Sequence, residues 1–192
     1  MERLVIANWK MNPKSLKAAL VLAGSVKRQL RGVKGVRVVI CPPFPYLSAV
    51  ARQLKSSSLE LGAQDASISP VMLKALGCAF VILGHSELRM QSGETDAMVN
   101  RKVAATLKAG LVPVVCVENV TQLTKALMGV PKSSYGKIRV VYEPSWAIST
   151  HKGAMPADPK EVGRMVQKLS KIASPAVFLY GGSVSSKNAG TF

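Results

Sequence analysis

The sequence lacks any apolar run long enough to cross a membrane. Its longest apolar runs, AFVIL and VPVVCV, have the length of a single β-strand, whereas a membrane-spanning helix needs about 20 apolar residues. The opening segment, MERLVIANWK, has too short an apolar stretch and the wrong flanks for a secretory signal peptide. We therefore expect a cytoplasmic protein with no membrane partner.

Cysteine is scarce, and nucleotide-binding glycine motifs are missing. Cys41, Cys78 and Cys116 lie in or beside apolar runs and have no CxxC spacing, which favours buried free thiols and argues against a metal site. Neither GxGxxG nor GxxxxGK[ST] follows any apolar segment. This argues against the common nucleotide-binding sheets.

Acidic residues are few. The sequence has 10 Asp and Glu residues and 26 Lys and Arg residues, which gives a formal net charge of +16. Such an excess can indicate a nucleic-acid or membrane-surface partner, and it would also attract a small anionic substrate. The basic residues are spread along the chain without a long run and without interleaved aromatic residues. That pattern is typical of a solvated basic surface and makes a nucleic-acid partner the less favoured alternative.

What the sequence does contain is a regular alternation of short apolar segments and helical patterns. With 192 residues, 48% of them hydrophobic, the chain fits one globular domain covering residues 1–192. We predict strands at 4–9, 36–43, 59–64, 79–85, 111–117, 138–144 and 176–182. Helical spacing lies between them, with Ser69 and Asp158 as predicted N-caps. This alternation predicts an α/β protein with a parallel sheet, either a barrel or a doubly wound sheet.

Polar residues gather where several of these strands end. They are Asn8 and Lys10, Gln64 and Asp65, His85 to Glu87, Glu143, and Ser183. In a β/α barrel these ends converge on one face, where the chemistry is carried out. Each residue also has an ordinary interpretation: a hydrogen-bonded structural histidine, a carboxylate paired with a lysine, or a surface lysine.

The motifs ANWKMN, ILGHSE, YEPSWAI and YGGSV, in this order at these strand ends, resemble those of the triosephosphate isomerase family. So do CPPFPYL, GAQD and ISPVML, and the resemblance runs from residue 3 to about 190. It implies a TIM-type (β/α) barrel. It also implies interconversion of dihydroxyacetone phosphate and glyceraldehyde 3-phosphate by proton transfer through an enediolate, without cofactor or metal. The expected partner is therefore a small phosphorylated triose.

The resemblance also implies roles for individual residues. Glu143 resembles the catalytic base, His85 the neutral imidazole that polarises the carbonyl group, and Lys10 the ammonium that stabilises negative charge. The implied substrate-binding residues are Asn8, Lys10, Ser149 and Ser183. Three further residues have implied supporting roles. Glu87 would pair with Lys10, and Tyr180 would hold the closed lid. Trp146 lies within that lid, at 144–154.

The sequence departs from the family pattern in several places. It stops just past the seventh strand, whereas family members continue through an eighth strand whose loop binds phosphate, so we expect an incomplete barrel with unpaired edges on strands one and seven. The long loop after strand three is also missing. Leu88 and Ser92 replace interface residues, and Asn119 replaces a supporting carboxylate. The missing loop and the changes at Leu88 and Ser92 predict loss of the family's usual dimer, and the open strand edges predict a non-standard homo-oligomer or strand completion by another chain.

The lid itself, PSWAISTHKGA, carries Ser145, Ser149 and His151 where relatives have Val or Gly. Losing two amide contacts to the phosphate would remove roughly 3–6 kcal/mol of binding. We therefore expect activity depressed by at least ~100-fold. The alternative is a catalytically silent barrel that acts as a scaffold or self-assembling unit.

Overall fold

A computed structural model describes residues 3–148 and 155–192, which contain seven strands and seven α-helices, with at least one helix between successive strands. The strands are β1 (Arg3–Asn8), β2 (Val36–Cys41), β3 (Leu59–Ala63), β4 (Cys78–Leu83), β5 (Val112–Val117), β6 (Arg139–Tyr142) and β7 (Val177–Tyr180). The helices are α1 (Leu16–Gln29), α2 (Leu47–Leu54), α3 (Pro70–Ala75), α4 (Ser86–Ser92), α5 (Asp96–Lys108), α6 (Val120–Ala126) and α7 (Pro159–Ala173).

The sheet confirms the predicted α/β class. Its strand order follows the chain from β1 to β7, and the pairs β1–β2, β2–β3, β3–β4, β5–β6 and β6–β7 are parallel. Parallel strands that follow one another in sequence, each joined to the next by a helical crossover, are the pattern of a TIM-type (β/α) barrel, here with seven strands. Each predicted strand is present to within a few residues at its ends.

The chain divides into two compact units, Met1–Ile82 with Ala109–Leu111, and Leu83–Lys108 with Val112–Phe192. In the first unit, β1 and β2 pair from Arg3 opposite Val36 to Asn8 opposite Cys41. This register places the carboxyl ends of both strands side by side. The single-domain interpretation of the sequence stays a prediction.

Helix α1 shows how the first unit buries its apolar side. The Ser15 hydroxyl oxygen accepts a hydrogen bond from the Ala18 backbone N–H at 3.2 Å, so the helix begins with a side-chain cap. Ala19 and Ala23 are buried, whereas Leu16, which the helical pattern places on the same apolar face, is exposed. Small residues on the buried face let α1 lie against α2.

In the second unit, β6 lies between β5 and β7, and its register places Tyr142 opposite both Val117 and Tyr180. Helix α7 begins where the sequence predicts, because the Asp158 carboxylate accepts the Lys160 N–H at 2.9 Å and Pro159 follows the cap. The helix buries Val162, Leu169 and Ala173.

The other predicted N-cap differs from the structure. Ser69 occupies the N-cap position of α3, but its side chain makes no capping hydrogen bond. Pro70 at the first helical position removes one of the unpaired N–H groups and fixes a helical φ. The helix therefore begins without help from the serine hydroxyl group.

All three cysteines are buried and none forms a disulfide. Burial raises the pKa of the Cys78 thiol to about 11, and it raises the pKa of the Cys41 thiol further above its usual range. Since the thiolate is the reactive form, both are inert structural side chains. None of the described helices is both long and apolar enough to cross a membrane.

Gly62 in β3 packs directly on Cys41, and this contact generates a prediction. A Cβ atom at Gly62 would lie 2.5 Å from Cys41 Sγ and 2.9 Å from Val39 Cγ1. We expect Gly62→Ala to lower the free energy of unfolding by about 1–3 kcal/mol through overpacking. Denaturant unfolding measures the change.

The matched background is Cys41→Ala, which removes the nearer of the two contacts. Gly62→Ala should then destabilise the protein less, since the sulfur atom is gone. The same loss of stability in both backgrounds would contradict the packing explanation.

Candidate active site

A buried carboxylate and a buried imidazole meet in the second unit. Glu143 directly follows β6, and its Oε1 atom lies 3.1 Å from His85 Nε2. Its other carboxylate oxygen, Oε2, accepts a hydrogen bond from the Ser86 backbone N–H at 3.0 Å. Glu143 is 5% exposed and His85 is 8% exposed. A charge at the end of an apolar strand is thereby compensated by two donors.

The hydrogen bonds of His85 fix which ring nitrogen carries the hydrogen. The Glu87 backbone N–H points to His85 Nδ1 at 3.3 Å, so Nδ1 is an acceptor and carries no hydrogen. The neutral imidazole then has its hydrogen on Nε2, which donates to Glu143 Oε1. The same contact makes His85 the N-cap of α4. One ring therefore caps a helix and presents an N–H to the carboxylate.

A tight turn between β4 and α4 aims the imidazole ring. Gly84 has φ +72°, and a Cβ atom there would lie 3.0 Å from the carbonyl oxygen of Cys116. Both facts require glycine at this position. Arg89 holds the turn from the other side, because its Nε donates to the Gly84 carbonyl at 2.8 Å and its Nη1 to Asp96 at 2.8 Å. The sequence analysis did not single out Arg89 or Asp96.

The neighbouring strand fixes the main chain at Glu143. Its N–H donates to the carbonyl of Val117, the last residue of β5, at 2.9 Å. The backbone is thus set by the sheet, whereas the side chain can rotate about its own bonds. Each carboxylate oxygen has one protein donor and keeps a further lone pair that can accept another hydrogen.

The segment after Glu143 is bound to the turn that follows β7. Residues Ser145–Ala147 form a single 3₁₀ turn. The Ala147 carbonyl accepts hydrogen bonds from the Ser183 N–H at 2.7 Å and from the Ser183 hydroxyl at 2.8 Å. Ser183 therefore uses both donors on the protein itself, although the sequence resemblance implies that it binds phosphate.

Trp146 lies at the surface, with 50% of its area exposed. Ala147 and Ile148, which follow it, are buried and anchor this part of the segment. The rest of the predicted lid, including Ser149 and His151, lies outside the described residues.

Tyr180, the predicted latch, ends β7. Its hydroxyl oxygen accepts the Ala157 N–H at 3.0 Å, just beyond the predicted lid. Its ring stacks on Phe192, with the ring centres 4.2 Å apart. Gly182 lies against the Tyr180 hydroxyl group, and a Cβ atom there would overlap it. The tyrosine is therefore held on several sides.

Two other residues of the second unit have ordinary helical roles. Glu87 is the acidic residue in the first turn of α4, where a negative charge is stabilised by the helix dipole. Asn119 caps α6 by accepting the Gln122 N–H at 3.0 Å. Asn119 thus stabilises a helix at the position where the family pattern has a carboxylate.

In the first unit, Lys10 follows β1 in a left-handed backbone conformation with φ 52°. The Asn8 side-chain oxygen accepts the Lys10 N–H at 2.9 Å. The Gln64 amide group donates to the Lys10 carbonyl at 2.9 Å and to the Cys41 carbonyl at 2.9 Å. Asn8 and Gln64 therefore hold the Lys10 main chain from both sides.

Gln64 is a positioning residue whose role the sequence did not predict. The sequence places it at a strand end and within GAQD, but nothing in the pattern shows that its amide group reaches a residue 54 positions earlier. Within residues 3–148 and 155–192, no group of three or more His, Cys, Asp or Glu side chains is placed to hold a metal ion.

Comparison with known proteins gives one consistent family. The family model described as triosephosphate isomerase matches residues 3–192. A triosephosphate isomerase of Dehalococcoides mccartyi is 39% identical, over 98% of this chain and 85% of the relative. Those of Idiomarina loihiensis and Carboxydothermus hydrogenoformans are each 36% identical, over 97% and 96% of this chain and 85% of each relative.

The strain at Lys10 can be measured separately from its charge. Both Lys10→Gly and Lys10→Ala remove the ammonium group, but only alanine keeps a Cβ atom at positive φ. We expect the glycine variant to be more stable than the alanine variant by about 1 kcal/mol in denaturant unfolding.

The control is the same pair of substitutions at Lys168, an exposed position inside α7. There the order should reverse, because alanine favours a helix over glycine by about 1 kcal/mol. If alanine were the more stable replacement at Lys10 as well, the strain at that position would be disproved.

Proposed function

Since the chain belongs to the triosephosphate isomerase family, we propose that it interconverts dihydroxyacetone phosphate and glyceraldehyde 3-phosphate by cofactor-free proton transfer. The observation that carries the proposal is the buried contact between Glu143 and His85 Nε2 at 3.1 Å. A base and a hydrogen-bond donor side by side are what proton transfer next to a carbonyl group requires. The family sets this reaction in glycolysis and gluconeogenesis, in the cytoplasm.

Glu143 is the proposed base. Its carboxylate takes a proton from the carbon next to the substrate carbonyl, and the electron pair of that C–H bond moves to form the enediolate. The same carboxyl group then returns the proton to the neighbouring carbon while the hydroxyl proton moves from one substrate oxygen to the other, so that the carbonyl and hydroxyl groups change places and the base is regenerated. The contact of Glu143 with His85 supports this role, because it places the base beside a hydrogen-bond donor.

His85 and Lys10 are the proposed electrophiles. The neutral imidazole donates its Nε2 hydrogen to the substrate oxygen on which charge develops, and its Nδ1 contact with the Glu87 N–H supports that tautomer. The Lys10 ammonium stabilises the same negative charge, with Asn8 beside the substrate oxygens and Glu87 as the partner of Lys10. The fixed Lys10 backbone supports this role, since preorganised charge needs no rearrangement during reaction.

We further propose that turnover is much slower than in relatives with the family's usual lid. Ser183 already donates twice to the Ala147 carbonyl, so a substrate phosphate has to compete with the protein for these donors. Serine and histidine replace glycines at 149 and 151, and position 149 is where a backbone amide would meet phosphate. Weaker phosphate binding leaves less energy for closing the lid and orienting the substrate.

A second candidate function is self-assembly through the sheet edges, and the exposure of the edge strands favours it. Among the described pairings, β1 pairs with β2 alone and β7 with β6 alone. Val5 on β1 is 50% exposed and Val177 on β7 is 39% exposed. An unpaired strand with apolar side chains is a template for pairing with another chain. This candidate requires no catalysis.

Turnover in a coupled assay tests the isomerase proposal. We expect the wild-type chain to exceed Glu143→Gln by at least about 100-fold, since general bases contribute about 10²–10⁴-fold. The charge-matched control, Glu118→Gln, should keep wild-type activity, because Glu118 follows another strand and has no proposed part in the reaction. Against the Dehalococcoides mccartyi relative, the wild type should be slower by at least ~100-fold.

Equal rates for wild type and Glu143→Gln would exclude the isomerase and leave the self-assembly candidate. Wild-type turnover equal to that of the relative would confirm the isomerase and contradict the proposed loss of rate.

Mass-detected size exclusion over a range of concentrations tests self-assembly. We expect a mass above that of one chain, and we expect Val5→Lys to lower it by placing a charge on the β1 edge. Val71→Lys, at an exposed position on α3, is the matched control. A single-chain mass at every concentration, or equal effects of both substitutions, would count against edge pairing.

A further inference from the structure

A basic pocket lies in the first unit, away from the candidate active-site residues of that unit. It has a volume of about 490 Å³, and its lining includes Lys27, Arg28, Arg31, Ser56, Ser57 and Ser58. It lies where β3 begins and α1 and α2 end, whereas Asn8 and Gln64 mark the opposite, carboxyl ends of the strands. Small-molecule sites commonly have volumes of about 300–1,000 Å³.

The positive charge of this pocket is not neutralised by the carboxylates that the structure describes in the same unit. Within residues 3–82, the carboxylate side chains are Glu60 and Asp65. Glu60, next to the pocket, binds Arg37 with both of its oxygens at 2.9 Å. Asp65 is buried beyond the opposite end of β3. Neither forms an ion pair with Arg28 or Arg31.

Lys27 has a structural role that accounts for its position. Its ammonium group donates to the carbonyls of Gln53 at 3.2 Å and Lys55 at 2.6 Å, which closes the end of α2. The helix dipole likewise favours a cation in the last turn of α1. Arg31 lies beyond the end of that helix. It follows Arg28 by three residues, a spacing at which two positively charged side chains repel each other. Capping and the dipole therefore account for Lys27 and for Arg28, which also lies in the last turn of α1, but not for Arg31.

Three consecutive serines, Ser56 to Ser58, also line the pocket. Ser57 closes the loop, since its hydroxyl donates to the Leu54 carbonyl at 2.6 Å and accepts the Leu59 N–H at 3.3 Å. Ser56 and Ser58 on either side of it are exposed. Ser56 has φ 57°, a conformation that glycine adopts more readily. Ser56 thus has a hydroxyl side chain at a position whose backbone conformation favours glycine.

We propose that this pocket is a second ligand site, for a small polyanion that carries a diphosphate or several phosphate groups. The Arg28 and Arg31 guanidinium groups bind phosphate oxygens with paired N–H donors, and the Ser56 and Ser58 hydroxyls supply further donors. Lys27 adds positive charge behind them. A concave site without an aromatic stacking surface fits a small anion better than a single-stranded nucleic acid.

Calorimetric titration of the full chain with inorganic pyrophosphate at low salt tests the proposal. We expect wild-type binding with one pyrophosphate per chain, weakened at least about tenfold in the double variant Arg28→Gln/Arg31→Gln. Arg28→Lys/Arg31→Lys, which keeps the charge but loses the paired donors, should fall between the two. Unfolding curves of each variant confirm that it is folded.

The matched control is Lys14→Gln/Lys17→Gln, which removes the same charge from exposed positions of the same unit and should leave binding unchanged. Lys10→Met should also retain binding, which separates this pocket from the proposed isomerase site. No pyrophosphate binding by the wild type would overturn the proposal, as would equal losses in the two double glutamine variants. Loss of binding in Lys10→Met alone, or binding of an oligonucleotide but not pyrophosphate, would overturn it as well.

Discussion

The second unit is organised around one constraint, which is that the Glu143 carboxylate is buried and has to be compensated. The Ser86 N–H and His85 Nε2 supply this compensation at 3.0 and 3.1 Å. Their positions in turn require the glycine turn at Gly84 and the start of α4, which His85 caps. A strand that ends on a charge, a residue with positive φ and a histidine at a helix start are thus one connected arrangement. Its chemical consequence is a base beside a hydrogen-bond donor.

In the first unit, hydrogen bonds to the backbone hold Lys10 in place. Lys10 is held at φ 52°, and the amide groups of Asn8 and Gln64 bind its main chain on both sides. Residues whose backbone is held in a sparsely populated conformation cluster at functional sites, where the surrounding structure maintains the strain. The cation that the family resemblance implies is therefore on a stiffened loop, as charge stabilisation requires. The basic pocket at the other end of the strands has no comparable strain at its arginines.

Much of the fold was predictable because the patterns are local. Apolar runs bounded by turn residues located the strands, and an Asp-Pro pair located the start of α7. The motifs identified His85 and Glu143 but not the contacts between them. Contacts between residues far apart in the sequence could not be predicted from such patterns. Examples are the contacts of Gln64 with Lys10 and of Ser183 with Ala147. The local capping rule also failed at Ser69, whose hydroxyl does not cap α3, where Pro70 already starts the helix.

The central claim is that the side chains of Lys10, His85 and Glu143, each at the carboxyl end of a strand, act on one substrate. A crystal structure of the chain with a planar, negatively charged analogue of the enediolate tests it most directly. The account predicts that the Lys10 ammonium and His85 Nε2 both lie within hydrogen-bond distance of the analogue's oxygens, and that Glu143 has left Ser86 to face its carbon atoms. An analogue bound by one of these residues and remote from the others would contradict the account.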